Sequence, residues 1–553
     1  MVIKEDVFTF IVGGKAGEGV RKAGSVAARV FTSMGRFVFH MDDYGSLIKG
    51  GHNFSVVSSA TRRITSHHIK ADLVVAPDKR SYDLHKKHLA DGGILVYNSD
   101  AVKDVEGLGV PLMTEAKKYP NPNLRIGVGA VAILAAAVGC EKDCLRRIID
   151  QEYPRDIENN IAYAMVIYDI SHAKIGGKFQ LEGGDKERPI ITGNEAIALG
   201  AVAGGLDTYY AYPMTPSSSI LHYLAAHDRE LGVTAVHPEN EIAVINMAIG
   251  SAFAGARAMV GSSGGGFALM QEAFSLAGMV EAPLLCYVGS RPGPSTGVPT
   301  YTAQGDLNFT IHQGHGEFPR IVASPGSMEE AFYVTAEMLD IVWRFQTPGI
   351  ILTDKHLAES RMTVDIDVKK AKWPESVMHS GGEYKRYIDT ENGISPLLFP
   401  PSKELIKWDS YEHDELGVTT EDPDTIAKMQ EKRNRKKKAV ADYMMGMHTV
   451  NVYGDKGPLI LTYGSTTMSV LEALRCGEIE AIVVQPIYLE PLPMWELEKY
   501  RGGNVIVVEL SCEGQFASLL EEKVGIKPKA VVKKYDGRAF DPVELAGRIK
   551  EAV

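Results

Sequence analysis

The sequence predicts a multidomain α/β protein, and three observations carry the prediction. Its 553 residues are too many for one hydrophobic core. Short β-rich runs alternate with helical patterns over most of the length. That rhythm is broken by polar and proline-bearing text after residue 176 and again after residue 371. At about one domain per 150 residues, three or four domains are expected. A content of 45% hydrophobic and 23% charged residues is that of a folded globular chain.

The first domain is expected to span residues 1–180. VFTFIVGG, ADLVVAP and GILVYNS read as strands and Gly19 to Met34 as a helix, the layout of an α/β unit with a mainly parallel sheet. The apolar run Ile126 to Gly139 falls short of the roughly 20 residues that a membrane span needs, so it reads as a buried helix. Gly176 to Arg188 reads as a linker, after which strand and helix alternate through a second α/β domain, residues 189–370. Residues 371–454 lose the periodicity and read as a connector. Its basic run KRNRKKK, Lys432 to Lys438, reads as a solvated helix face or linker rather than a binding patch. PLILTYGS, EAIVVQPIY and NVIVVEL then restore the βαβ rhythm in a third domain, residues 455–553.

Charge and cysteine usage exclude several classes. With 59 basic against 70 acidic side chains the formal charge is −11, which disfavours nonspecific binding to nucleic acid or an anionic membrane. The amino terminus carries Glu5-Asp6 where a signal peptide has a basic region, so a cytoplasmic protein without a membrane anchor is expected. Cys140, Cys144, Cys286, Cys476 and Cys512 include no C-x-x-C pair, so neither a four-cysteine cluster site nor a disulfide framework is indicated.

In an open parallel sheet, ligands sit beyond the carboxyl ends of the strands. Four loops of the second domain concentrate unusual residues at such positions. In Tyr212-Pro213-Met214-Thr215-Pro216, prolines on either side restrict the dihedrals around Thr215 and fix its hydroxyl, with Ser217 or Ser218 available as a helix cap. In His237-Pro238-Glu239-Asn240-Glu241, Glu241 opens an apolar helix, where an acid also suits the helix dipole. Gly261-Ser262-Ser263-Gly264-Gly265-Gly266 contains a G-x-S-x-G centred on Ser263, the strand–turn–helix setting of a hydrolase nucleophile, with Asp306 and His315 following in triad order. In the fourth loop, Arg291 opens a stiff Pro/Gly segment running to Thr300, suited to gripping a carboxylate or phosphate. In the first domain, Gly13-Gly14-Lys15-Ala16-Gly17-Glu18-Gly19 lies between strand and helix. Its spacing matches neither G-x-G-x-x-G nor G-x-x-x-x-G-K-[ST], so it reads as a tight turn that also leaves room for a ligand at backbone N–H groups.

Together these loops resemble the 2-oxoacid:ferredoxin oxidoreductases, thiamine-diphosphate enzymes that cleave a 2-oxoacid, make an acyl-CoA and reduce ferredoxin. Y-P-M-T-P-S is similar to the family's Y-P-[IM]-T-P-S signature, the helix from Glu241 to its cofactor-facing helix, and S-R-P-G-P-S-T-G-V-P-T to its substrate loop. The glycine turn with Y-G-S-L-I-K-G-G-H resembles the γ subunit, and L-T-Y-G-S with V-E-L-S-C-E-G-Q-F resembles the carboxyl-terminal domain of the α subunit. The resemblance therefore implies a fused γ–α chain: a γ-type α/β domain, a doubly wound domain of the pyrimidine-binding type, and a transketolase-C-terminal-like α/β domain.

The resemblance also implies roles. Glu241 hydrogen-bonds the cofactor's pyrimidine nitrogen and promotes its imino tautomer, and its apolar surroundings favour the protonated, donating form. Tyr212 and Pro213 lie at the cofactor, Arg291 holds the 2-oxoacid carboxylate, and Thr215 and Thr300 complete the substrate site. Gly14, Gly17, Gly19 and Lys49 are candidates for the CoA side. The family's G-D-G diphosphate and Mg²⁺ motif is missing, as are cluster-forming cysteine groups. The resemblance therefore places Mg²⁺ and the [4Fe-4S] cluster on a β subunit, with no metal held here. Activity then requires that β subunit, ferredoxin as electron acceptor, and an assembly expected to be a dimer of γα–β heterodimers. The fused arrangement favours 2-oxoglutarate as substrate, with branched-chain 2-oxoacids or pyruvate as alternatives. Lys49, His222, His312 and Arg320 are the candidates for a second substrate carboxylate. A serine hydrolase at Ser263 and a noncatalytic binding subunit are the readings from other classes.

Overall fold

The computed structural model describes residues 6–45 and 51–553. Lys49 lies outside the described residues. The chain forms two compact units: residues 1–191 with 359–365 and 541–544, and the remainder from Thr192 onward.

The first unit is built on an eight-stranded sheet, in the order Leu108–Val110, Leu89–Asn98, Ala71–Ala76, Phe8–Lys15, His52–Ala60, Phe37–Asp43, Arg361–Thr363 and Ile190–Thr192. Its first four strands are parallel, whereas His52–Ala60 runs antiparallel to both Phe8–Lys15 and Phe37–Asp43. The sheet is therefore mixed rather than mainly parallel. The two antiparallel strands carry histidine, asparagine, aspartate and serine at positions that a buried run would fill with aliphatics, which hid them in the sequence.

Helix Val20–Ser33 covers the sheet with Val20, Ala23, Ala27, Val30 and Phe31 buried at helical spacing. Helix Pro122–Ala137 is buried from Arg125 to Ala137, so the long apolar run is a core helix. It packs closely because Gly127 lacks a side chain: a Cβ there would meet the Gly19 carbonyl at 2.6 Å. The stretch from Gly176 to Arg188 is coil but not loose. Arg188 is buried and pairs with Asp185 at 2.7 Å and Asp365 at 2.8 Å, while Arg36 donates to the Glu182 carbonyl at 2.6 Å.

The second unit contains two sheets. The larger is ordered Tyr488–Glu490, Ile321–Ala323, Pro348–Asp354, Leu284–Ser290, Ala258–Ser263, Thr208–Ala211 and Thr234–Val236. All neighbours are parallel except Tyr488–Glu490, which runs against Ile321–Ala323. The smaller is ordered Val450–Tyr453, Ile482–Pro486, Leu459–Leu461, Val505–Glu509 and Ala530–Lys533, parallel apart from its first strand. One continuous core joins them, with Phe267, Phe274 and Val288 from the first sheet's layers and Leu461, Tyr463 and Phe516 from the second.

The connector is part of this unit. Its basic run lies in helix Pro423–Met444, capped by Asp422, and the expectation of a solvated face is wrong for three of its cations. Lys432, Arg433 and Lys436 are buried. Lys432 donates to Glu281 at 2.7 Å, Lys436 binds the same carboxylate, and Arg433 pairs with Glu412. Arg386 adds hydrogen bonds to the Glu281 carbonyl at 2.9 Å and the Gln346 side chain at 2.9 Å. Helical spacing sets Lys432 and Lys436 on one face, and a single carboxylate on the packed side is enough to draw that face inward. Among the described residues no helix is long and apolar enough to cross a membrane.

Candidate active site

Strand order locates the crevice. From Thr208–Ala211 the chain crosses to Thr234–Val236 at one edge, then returns past its starting strand to Ala258–Ser263 and continues to Leu284–Ser290. The connections after Thr208–Ala211 and Ala258–Ser263 thus leave in opposite directions, and their carboxyl ends form a topological switch point, where a doubly wound sheet opens a ligand crevice. Three of the four loops singled out above follow these strands or the adjacent Leu284–Ser290. The fourth delivers Glu241 from the neighbouring edge strand.

Glu241 is the first residue of helix Glu241–Phe253 and is buried. It is not needed as a cap, because Asn240 accepts the Ala243 N–H at 2.9 Å. Its Oε1 is buried with no hydrogen-bond partner among the described residues. This oxygen abuts the glycine loop: a Cβ on Gly266 would meet Ser262 Oγ at 2.1 Å and Glu241 Oε1 at 2.5 Å. A buried carboxyl oxygen left unpaired beside bare backbone is costly unless something completes it.

The prolines around Thr215 hold a turn fixed from two sides. Arg291 donates from Nη1 to the Thr215 carbonyl at 2.8 Å. Asn194 donates to the Pro216 carbonyl at 2.7 Å and is itself held by the Tyr287 hydroxyl at 2.7 Å. Gly289 lets Pro216 approach, since a Cβ there would lie 2.8 Å from its ring. Ser217 precedes helix Ser218–Ala226 but turns its hydroxyl back to the Met214 carbonyl at 2.7 Å, making the turn tighter instead of capping the helix.

Arg291 lines a cavity of about 500 Å³ together with Met214, Ser263, Gly264, Thr296 and Asp306. Burial lowers the arginine's pKa, with Asp306 opposing the shift. Burial likewise raises Asp306 above the ordinary carboxylate range, although the Ser290 hydroxyl, donating at 2.7 Å, and Arg291 both work against it. Each group thus sits where its charge is only partly compensated, as at sites built to receive a ligand.

Arg291 bonds the Thr215 carbonyl and shares its cavity with Gly264 and Gly265 of the glycine loop that Glu241 abuts at Gly266, while Tyr212 is exposed against His237 and Pro213 is half-buried. Thr300 is half-buried farther along its loop and is not among the residues lining the Arg291 cavity. His312 and Arg320 line a different cavity and precede strand Ile321–Ala323, at the opposite end of the sheet from Arg291. His222 is exposed on helix Ser218–Ala226. The reading of single motifs missed the support of Asn194 and the place of Asp306 in the pocket. Neither belongs to a local pattern, and only the sheet brings them into contact.

The hydrolase constellation does not form. Ser263 Oγ is buried without a partner among the described residues, His315 Nδ1 pairs with Ser275 at 3.0 Å, and Asp306 is bonded to Ser290. In the first unit, Gly17 and Gly19 take positive φ angles of 93° and 75°, and a Cβ on Gly14 would lie 2.8 Å from Glu18. Glu18 accepts the Lys15 N–H at 2.8 Å, so this turn holds its own carboxylate where a phosphate cradle needs free donors.

Comparison with known proteins now bears on the site. The family model for pyruvate flavodoxin/ferredoxin oxidoreductase, thiamine-diphosphate-binding, matches residues 199–432, and that for pyruvate ferredoxin/flavodoxin oxidoreductase matches residues 9–170. The chain is 30% identical to the alpha subunit of 2-oxoacid:ferredoxin oxidoreductase 2 from Aeropyrum pernix, over 98% of this chain and 97% of that one. It belongs to the 2-oxoacid:ferredoxin oxidoreductases.

Within that family it is an alpha subunit of a thiamine-diphosphate-dependent oxidoreductase made of several subunits. It is also 31% identical to 2-oxoglutarate synthase subunit KorA from Archaeoglobus fulgidus, over 65% of this chain and 97% of that one. The structure of 2-oxoglutarate:ferredoxin oxidoreductase from Magnetococcus marinus, with 2-oxoglutarate, coenzyme A and succinyl-CoA bound, matches with a TM-score of 0.90 over 99% of this chain and 100% of that one, at 28% identity. The unpaired Glu241 oxygen beside the glycine loop, at the switch point of the thiamine-diphosphate-binding domain, fits the pyrimidine edge of that cofactor.

Proposed function

We propose that this chain is the γ–α subunit of a 2-oxoglutarate:ferredoxin oxidoreductase. The enzyme converts 2-oxoglutarate and CoA to succinyl-CoA, CO₂ and reduced ferredoxin, or runs the reverse. The observation that carries the reading is the pairing of two unfinished groups across one crevice: the buried, unpartnered Glu241 carboxyl and the partly compensated Arg291 guanidinium. The choice of 2-oxoglutarate is supported by the A. fulgidus relative and the M. marinus structure.

Thiamine diphosphate, when bound, supplies the nucleophilic carbon that attacks the 2-oxo group and holds the electrons released with CO₂. Glu241 offers its carboxyl to the pyrimidine ring nitrogen, and the bare backbone of Gly266 lets that carboxyl sit against the glycine loop. Arg291 spends one N–H on the Thr215 carbonyl, which locks the guanidinium in place and leaves its other donors for the substrate carboxylate. The Thr215 hydroxyl is held at a fixed height by the same turn. Ser295 and Thr296, which line the cavity, are the donors this chain offers to the second carboxylate.

A β subunit completes the site. Helix Glu241–Phe253 leaves Ile242 53% and Met247 44% exposed, and Leu269 on the adjoining Gly264–Leu269 helix is 55% exposed. An apolar face around the crevice mouth is where a second chain belongs. That subunit brings the cofactor's diphosphate and Mg²⁺ site and the [4Fe-4S] cluster, since the cysteines of this chain are scattered over both units. Ferredoxin is the acceptor, the assembly is a dimer of γα–β heterodimers, and the enzyme works in the cytoplasm.

The test is to co-express the chain with its β subunit and assay CoA-dependent viologen reduction on 2-oxoglutarate, pyruvate and 2-oxoisovalerate. Activity on 2-oxoglutarate, absent without the β subunit, is the expected result. Activity confined to either other acid would reassign the substrate, and none on any acid from a complex loaded with cofactor and cluster would end the proposal.

A further inference from the structure

A second polar cavity, of about 490 Å³, lies in the same unit at the amino end of strand Ile321–Ala323, the opposite end of the sheet from Glu241 and Arg291. Its wall is the turn Gly314-His315-Gly316, part of the I-H-Q-G-H-G-E-F-P-R stretch that the catalytic site does not use. The turn is rigidly anchored. Gln313 donates to the Phe267 carbonyl at 2.6 Å, the His315 N–H to Ser275 at 2.7 Å, and Thr347 to the Pro319 carbonyl at 2.5 Å. Gly314 is required twice over: its φ is +88°, and a Cβ would lie 2.8 Å from the Phe318 ring.

Around this wall stand donors and cations whose capacity the chain uses only in part. Among the described residues, the backbone N–H groups of Gly314 and Gly316 have no partner in the chain. Arg320 stacks on Phe318 at 4.3 Å and spends one N–H on the Ile311 carbonyl at 3.2 Å, but forms no ion pair. Burial lowers its pKa, with the charge of Glu490 across the same cavity working against the shift, so the guanidinium bears a desolvation cost that an anion would offset. Lys437, exposed on helix Pro423–Met444, and Lys523 on helix Gln515–Val524, the latter already paired with Glu522 at 3.0 Å, bring two more cations from separate elements. Two carboxylates, Glu317 and Glu490, also line the cavity. They would repel a bare polyanion but accept hydrogen bonds from hydroxyls next to it.

We infer that this cavity binds a hydroxyl-bearing phosphate ester, a sugar phosphate or nucleotide, with the phosphate on Arg320, Lys437, Lys523 and the glycine N–H groups and the hydroxyls on Glu317 and Glu490. The volume lies within the roughly 300–1,000 Å³ of small-molecule sites. The site is separate from the catalytic crevice.

The test is calorimetric titration of the assembled enzyme, saturated with thiamine diphosphate and CoA, using ATP, ribose 5-phosphate and inorganic phosphate. At least one ester should bind saturably and more tightly than inorganic phosphate. Arg320→Gln and Lys437→Gln should each weaken it about tenfold, the loss of one charge-assisted contact, while viologen reduction stays unchanged. Lys437 is on an exposed helix face, so its variant keeps the test valid if the Arg320 variant fails to fold. No saturable binding of either ester, or equal affinity in both variants, would overturn the inference. Inorganic phosphate binding as tightly as the esters would overturn the role given to the carboxylates.

Discussion

At the scale of single residues, the account rests on groups that the chain leaves unfinished. Asn240 does the capping that Glu241 would otherwise do, so the buried Glu241 carboxyl has no structural duty that the fold requires of it. Glu241→Gln keeps the shape and should keep thiamine diphosphate bound in the assembled enzyme. Exchange of the cofactor's C2 proton, followed by NMR in heavy water, should slow by roughly 10²-fold or more, the usual worth of a positioned acid–base group. Unchanged exchange would remove Glu241 from the chemistry. Arg291→Gln should lower kcat/KM for the 2-oxoacid about 10²-fold through lost positioning, with the melting temperature nearly constant. Thr215→Ala tests the hydroxyl alone, because Arg291 binds the backbone carbonyl of Thr215 and that bond survives the substitution. A fully active Thr215→Ala enzyme would show that the turn, not the hydroxyl, is what matters. These three residues were legible in the sequence because each stands in a loop whose composition departs from that of a simple connection. Asn194 was not, and Asp306 was read only as a possible triad acid, since their partners Pro216 and Ser290 lie 22 and 16 positions away.

At the scale of elements, helix Pro423–Met444 shows what periodicity alone does not reveal. A run of six lysines and arginines in seven residues reads as solvent-facing, yet one buried carboxylate, Glu281, turns two of its lysines inward. The strands of the crevice were legible because parallel strands buried on both faces are continuous apolar runs. The antiparallel pair in the first unit was not, because its strands interleave polar residues. The buried cluster makes a stability prediction. Burial raises the pKa of Glu281, but Lys432, Lys436 and Arg386 more than offset this and hold it below the ordinary range. Burial pushes Lys436 down to about 7, against the pull of Glu281. The unfolded chain binds more protons at this lysine between pH 7 and its ordinary value of 10.5, so stability rises with pH across that window. Lys436→Met should flatten that rise and leave the melting temperature at neutral pH equal or higher, as measured by circular dichroism. Glu281→Gln leaves three buried cations without their anion and should cost about 3–5 kcal/mol. A Glu281→Gln protein as stable as the parent would mean that the cluster is solvated in solution.

At the scale of the whole molecule, the proposed function has this chain supply a cofactor-facing carboxyl and a carboxylate clamp and leave its apolar crevice face open. Domain-level rhythm was readable from the sequence, and the resemblance carried by its motifs pointed to an enzyme of several subunits. Which surface receives the partner was not readable, because exposed residues on an apolar helix look like core residues until the sheet sets the helix's orientation. On the proposed function, a second chain docks on this face and completes the site. The most direct measurement is a pull-down of the β subunit by a Met247→Lys, Leu269→Glu double variant, with viologen reduction on the recovered material. Both substituted side chains are exposed, so the variant should fold as the parent does. Loss of the complex together with loss of activity is expected. Undiminished capture of the β subunit with full activity would contradict it.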